Sequence, residues 1–221
     1  FIQLTDNMAN GLDKLGEAKV TGAYSYKRDP THTSARGAVL SASVIINQLK
    51  KSDNSLKNYI LPNPKIVLPA KKKVYLIGDS TMANNGNNPN AVGWGVEFPK
   101  YCDTTRIEVI NKARGGRSTR TFTKEGLWDA VKNQLKPGDY IMIQFGHNDA
   151  GAVDKEKFRG SLKGNGNETQ VVVRDSLTET VQTFGWYMEK FVKEAKEKGA
   201  IPIVLSQPPR NEWPNDKVER R

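Results

Sequence analysis

Five short apolar segments punctuate the chain: "FIQLT" at 1–5, "VYLIG" at 74–78, "IEVIN" at 107–111, "YIMIQFG" at 140–146 and "IPIVLSQ" at 201–207. Each is rich in β-branched residues and nearly continuous in hydrophobicity, the pattern of strands buried on both faces of a parallel sheet. Helical patterns lie between them. From Asp175 to Lys198, the residues Leu177, Val181, Phe184, Met188, Phe191 and Ala195 recur at three- and four-residue intervals and Gly199 ends the run, so a helix is expected over 175–198. "SARGAVLSASVIINQLKKS" at 34–52 reads as another. Strands alternating with helices predict a doubly wound, three-layer α/β/α sandwich around a five-stranded parallel sheet.

Two places depart from that alternation. After "IPIVLSQ" the prolines of "PPRNEWPNDKVERR" leave too little room for a helix that could cover the sheet. At the other end, "FIQLT" has no helix before it to bring it into a parallel sheet with the usual handedness. The end of the chain lacks what its start lacks. "LKNYILPNPKIVLPAKKK" is a proline-interrupted connector. The expectation is therefore a single domain made of residues 1–52 and 73–221, joined by a linker at 53–72. An omitted helix would leave a stripe of sheet uncovered, to be closed by a dimer or a domain-swapped assembly.

Composition narrows the function classes. With 221 residues, 37% hydrophobic and 26% charged, the chain can enclose one core, and no apolar run is long enough to cross a bilayer, so no membrane partner is expected. It opens on "FIQLTD", without the basic and apolar regions of a signal peptide, so an export signal is expected either to have been removed or to lie outside this stretch. The lone Cys102 excludes an internal disulfide, and two histidines cannot make a Cys/His cluster of metal-ligand spacing. Neither a metal nor a cofactor is expected. A net charge of +10 favours a polyanionic partner. Nucleic acid is disfavoured, because basic runs such as "AKKK" and "VERR" carry no interleaved aromatics.

Four polar motifs carry candidate chemistry. Ser80 in "GDSTM" follows a predicted strand directly, where α/β sheets expose their sites, and its own N–H could face a developing oxyanion. An N-cap serine is the plainer reading of that triplet alone. "NKARGGRSTRTF" and "QFGHNDAG" follow the next two strands. There the Gly116 N–H and the Asn148 side chain could complete an oxyanion hole, and a Gly-rich turn and an Asx-turn are the alternatives. "DPTHTSARGA" at 29–38 reads as a polar turn that offers His32 as a base and Asp29 to fix its tautomer. A turn opened by Pro30 with His32 at the surface is the alternative. His147 is the rival base. Asp79 is expected to brace its turn, Asp149 to be a turn residue and Asp175 a helix cap. Arg114, Arg117 and Arg120 stand beside the proposed oxyanion glycine and could pair with a substrate carboxylate. Trp94 and Trp213 are equally open to packing and to sugar stacking.

Taken together, "VYLIGDSTMA", "NKARGGRSTRTFTKEG", "GDYIMIQFGHNDAG" and "DPTHTSARGA" resemble the SGNH (GDSL-type) hydrolases, with wording closest to the rhamnogalacturonan acetylesterases. That resemblance implies a flavodoxin-like SGNH fold and a serine carbohydrate esterase that removes O-acetyl groups from acetylated pectin, an acidic polysaccharide, without metal or cofactor. It implies Ser80 as nucleophile, His32 and Asp29 as its partners, and Ser80 N–H, Gly116 N–H and Asn148 as the oxyanion hole. Arg117, Arg114 and Trp94 are the expected substrate contacts, and secretion is implied by the resemblance alone. In the family the Asp/His block comes last, whereas here it precedes the serine, so a circular permutation is expected. The alternatives are an SGNH esterase acting on another acetylated sugar or small ester, and a non-catalytic carbohydrate-binding fragment.

Overall fold

The computed structural model describes residues 4–20, 25–26, 29–62, 71–84, 86, 92–104, 106–155, 157–174, 176–210 and 217, with the backbone alone at 4, 18–19, 25–26 and 29–32. The chain divides into two compact units, Phe1–Lys71 with Asp103–Glu108, and Lys72–Cys102 with Val109–Arg221.

The first unit begins with helix α1 (Leu4–Leu15), the short α2 (Glu17–Val20) and strands β1 (Ser25–Tyr26) and β2 (Asp29–Thr33). Helix α3 (Ala35–Lys51) and a 3₁₀ turn at Ser55–Tyr59 follow. The segment expected as a first strand, "FIQLT", is helical at Leu4 and Thr5, and residues 1–3 lie outside the described residues. Leu4, Met8, Leu12 and Leu15 repeat at helical spacing, with Asp6 in the first turn and Lys14 in the last to complement the helix dipole. That longer period outweighs a short apolar run. Asp29–Thr33 is likewise extended rather than a turn, pairing antiparallel with β1. Helix α3 matches its expectation: Ser34 caps it by accepting from Gly37 N at 3.2 Å, and it ends at Lys51.

The second unit carries the sheet. In chain order its elements are β3 (Lys72–Gly78), α4 (Trp94–Glu97), a 3₁₀ turn (Phe98–Tyr101), β4 (Ile107–Asn111, of which Val109 onward falls in this unit), α5 (Thr119–Lys124), α6 (Leu127–Lys132) and β5 (Tyr140–Gln144). A hairpin of β6 (Thr169–Arg174) and β7 (Leu177–Gln182), helix α7 (Phe184–Glu197) and β8 (Ile201–Val204) complete it. Among the described residues the sheet is four-stranded, ordered β4-β3-β5-β8, in place of the expected five. Parallel pairing runs from Val74↔Tyr140 to Gly78↔Gln144, and from Tyr140↔Ile201 to Ile143↔Val204. Lys112 N–H to Leu76 O and Arg114 N–H to Gly78 O advance in step beyond β4. Tyr75, Ile77, Ile141 and Ile143 face one side and pack on Phe122, Trp128 and Phe191 from α5, α6 and α7. Trp128, Phe122 and Phe191 are among the largest fully buried side chains of the protein.

The helix expected over 175–198 is half right. It starts at Phe184, capped by Thr183, whose side chain accepts from Trp186 N at 3.1 Å, and stops before Gly199, where φ is +73°. Leu177 and Val181 belong instead to β7, in register with Arg174 and Gln170. A Thr- and Val-rich stretch suits a strand once its partner arm exists, and at 177–182 the three- and four-residue spacing hid that alternative. The expected cap Asp175 lies outside the described residues.

Candidate active site

Parallel strands present their carboxyl ends at one edge of a sheet. Three adjacent strands of the second unit end there in polar loops: β3 in Asp79-Ser80, β4 in Ala113-Arg114-Gly115-Gly116, and β5 in Phe145-Gly146-His147-Asn148-Asp149. Ser80 is exposed and Asp79 fully buried. Asp79 braces the turn as expected, its Oδ1 accepting from Thr81 N at 2.9 Å and Thr81 Oγ1 at 2.8 Å. Gln144 Nε2 donates to the same hydroxyl at 2.6 Å, and Trp94 Nε1 donates to Gln144 Oε1 at 2.5 Å. Asn111 Nδ2 donates to Met82 O at 2.9 Å. Both flanking strands therefore hold the serine loop. Gly78 is required at its head, because a Cβ there would come within 2.5 Å of Gln144 O.

The loops after β4 and β5 are fastened to each other. Gly116 sits at φ +76°, and no acceptor among the described residues meets its N–H. Asn148, nearly buried, donates one Nδ2 hydrogen to Arg117 O at 2.9 Å. Asp149 Oδ1 accepts from Thr119 N at 3.0 Å, Thr119 Oγ1 at 2.5 Å and Ser161 Oγ at 2.5 Å. Burial pushes the Asp149 carboxyl up from the usual range, against the lowering effect of those hydrogen bonds. Ser118 starts α5 through a capping box with Thr121, which fixes Thr119 where it meets Asp149.

The arginine set separates. Arg114 is exposed. Arg117 donates to Glu125 Oε2 at 3.0 Å and to Gly115 O at 3.1 Å, so its guanidinium is tied to its own turn. Arg120 is buried, not substrate-facing: it forms a bidentate pair with Glu179, both bonds at 2.8 Å, and donates to Val153 O and Gly160 O. Trp94 spends its indole N–H on Gln144 and meets Phe98 edge-on at 5.8 Å. His147 is partly buried between the loop glycine and Asn148. Asp29 and His32 lie on β2 of the other unit, where only their backbone is described, and Trp213 lies outside the described residues. No group of three metal-ligating side chains occurs among the described residues, and no helix among them is long and apolar enough to cross a membrane.

Sequence reasoning missed the polar fasteners Thr119, Gln144 and Ser161, and took Asp149 for a simple turn residue. A signal existed for one of them: Gln144 is a polar residue that closes an otherwise apolar strand. For Thr119 and Ser161 there was none, since their partner is 30 and 12 residues away.

The sequence pattern of the GDSL-like lipase/acylhydrolase family matches residues 74–220. The chain is 41% identical over 140 residues to a rhamnogalacturonan acetylesterase of Emericella nidulans, a match covering 63% of this chain and 54% of the relative. It is 32% identical over 142 residues to the probable rhamnogalacturonan acetylesterase YesY of Bacillus subtilis, covering 64% and 56%. The crystal structure of YxiM from Bacillus subtilis superposes with a TM-score of 0.50 at 27% identity, over 66% of this chain and 36% of that one. The chain spans about half the length of the curated relatives it matches.

Proposed function

Because the chain belongs to the GDSL-like lipase/acylhydrolase family, we propose that it is a serine ester hydrolase that removes O-acetyl groups from rhamnogalacturonan, the substrate in the names of its relatives. One observation carries the reading: the loops bearing Ser80, Gly116 and Asn148 leave three neighbouring strands at one sheet edge and are hydrogen-bonded into place. In this mechanism Ser80 Oγ attacks the acetyl carbonyl carbon while the neutral His32 imidazole takes its proton and Asp29 orients the ring. The oxyanion is met by Ser80 N–H, Gly116 N–H and the second hydrogen of Asn148 Nδ2. The imidazolium returns the proton to the departing sugar oxygen, leaving an acetyl-serine. Water then attacks it with His32 as base, and acetate leaves as Ser80 regains its hydrogen. A positively charged chain suits a polyuronide, and Arg114 is the better placed of the two candidate arginines to meet a carboxylate, since Arg117 is already paired. Such a substrate agrees with an extracellular enzyme.

The order of the blocks is part of the proposal, because His32 and Asp29 precede Ser80 in this chain. Acetate release from acetylated rhamnogalacturonan is expected to exceed that from acetylated xylan and to vanish in Ser80→Ala and His32→Ala. Equal release from xylan would move the substrate to another acetylated sugar. Polysaccharide binding without Ser80-dependent release would make the chain a binding fragment. Mixing the two inactive variants decides which chains pair: activity returns only if serine and histidine come from different copies in a swapped assembly.

A further inference from the structure

A buried carboxyl group is expensive unless something answers each of its oxygens. Asp149 answers only one. Its Oδ1 collects three donors, two from Thr119 and one from Ser161, whereas Oδ2 is buried with no hydrogen-bond partner. The donors come from different elements. Thr119 opens the helix that follows the Gly116 loop, Ser161 lies beyond the Asn148 loop, and Ser161 N–H also donates to Asp149 O at 3.0 Å. Asp149 itself directly follows Asn148, whose amide holds Arg117 O two residues before Thr119. The two oxyanion loops are thus pinned by a pair of adjacent residues, one reaching Arg117 and the other Thr119.

We propose that Asp149 is a positioning residue for the oxyanion hole: by presenting Oδ1 as a shared acceptor it fixes the distance between the Gly116 loop and Asn148. The geometry calls for an acceptor at Oδ1. No cation pairs with Asp149 among the described residues, and all three donors are a neutral amide and two hydroxyls. Burial raises the pKa of this carboxyl and so disfavours its charged form. The inference rests on the esterase reading above, because an oxyanion hole has a function only if an oxyanion forms.

The test uses the full chain with a chromogenic acetate ester. Asp149→Ala should lower kcat by about a hundredfold with KM changed less than about twofold, since a displaced donor is missed in the transition state and not in the ground state. Asp149→Asn keeps a carbonyl oxygen for the three donors and should restore most of kcat. Thr119→Val and Ser161→Ala each remove one hydroxyl, should each lose several-fold in kcat, and keep the question decidable if Asp149→Ala fails to fold. Loss of kcat in Asp149→Asn equal to that in Asp149→Ala, or a rise in KM alone, overturns the positioning role. Wild-type kcat in both hydroxyl variants does the same. Activity that persists in Ser80→Ala overturns the esterase reading together with this inference. Activity lost in Ser80→Ala but untouched by every Asp149, Thr119 and Ser161 change overturns this inference alone.

Discussion

Two consecutive residues at the start of α5 anchor two regions by opposite means. Thr119 ties the helix to the loop after β5 through Asp149, with neutral donors and no cation. Arg120 ties the same helix to the β6–β7 hairpin through Glu179, with two parallel charge-assisted bonds and a further bond from Lys124. The two carboxyl groups respond accordingly. Arg120, then Lys124, holds Glu179 down at about 2 despite partial burial, whereas burial pushes Asp149 up. The oxyanion loops are fastened by neutral donors, while the hairpin is held by ions. Arg120 completes its shell with Val153 O and Gly160 O, so none of its strong donors is spent near Ser80.

The largest effect is expected from the ionic anchor. Arg120 has no side-chain exposure, so Arg120→Ala leaves Glu179 with Lys124 alone, strands two buried carbonyls and should cost about 3–5 kcal/mol in urea unfolding. Replacing Arg120 and Glu179 together by Met should recover only part of that loss, since the carbonyls of Val153 and Gly160 stay unanswered. Full recovery would show that the carbonyl bonds contribute nothing. The neutral anchor ranks next. Thr119→Val removes one hydroxyl but keeps the backbone donor, and about 1 kcal/mol is expected in the same measurement. A larger loss than for Arg120→Ala would reverse the comparison.

The contrast between these anchors was invisible in the sequence, whereas the sheet beneath them was not. VYLIG, IEVIN, YIMIQFG and IPIVLSQ all carry strands, as their runs of β-branched residues imply, although burial on both faces holds for β3 and much of β5 and not for β4 or the largely exposed β8. The loops bearing Ser80, Gly116 and Asn148 could then be assigned to one sheet edge from chain order alone. What failed depended on distant partners. Leu177 and Val181 fit a helical stripe until Gln170 and Arg174 pair with them, and Arg120 looks like a free cation until Glu179, 59 residues on, arrives beside it. FIQLT failed for a local reason, since the helical repeat continuing through Met8, Leu12 and Leu15 claims Leu4.

Acid titration separates the two carboxyl groups by sign. Glu179 has its folded pKa depressed, so its stabilisation is complete above the ordinary carboxyl value of about 4.3 and is lost as pH falls toward about 2. Asp149 is raised, so what it contributes is complete below the ordinary value of about 3.9 and declines as pH rises past it. Asp79, buried nearby, adds like-charge repulsion to that decline. Unfolding midpoints measured against pH should therefore lose part of their acid limb in Glu179→Gln, the rest staying with Glu194, which is also held down at about 2, and rise at neutral pH in Asp149→Asn. Parallel shifts in both variants would mean that the anchors are not electrostatically distinct.

The smallest effect belongs to Lys124. Its ammonium lies 2.6 Å from Glu179 Oε2, close to the buried guanidinium, yet its side chain is 56% exposed. Proximity alone would rank it beside Arg120, but water solvates it in both folded and unfolded states, so Lys124→Ala should cost about 0–1 kcal/mol. That small cost should shrink further in high salt, because an exposed pair is screened, whereas the Arg120→Ala cost should stay nearly constant. Two unfolding curves per variant, at low and at high ionic strength, distinguish the cases. Equal salt dependence would place Arg120 among the solvated charges and remove the reason for treating its pair with Glu179 as a buried anchor.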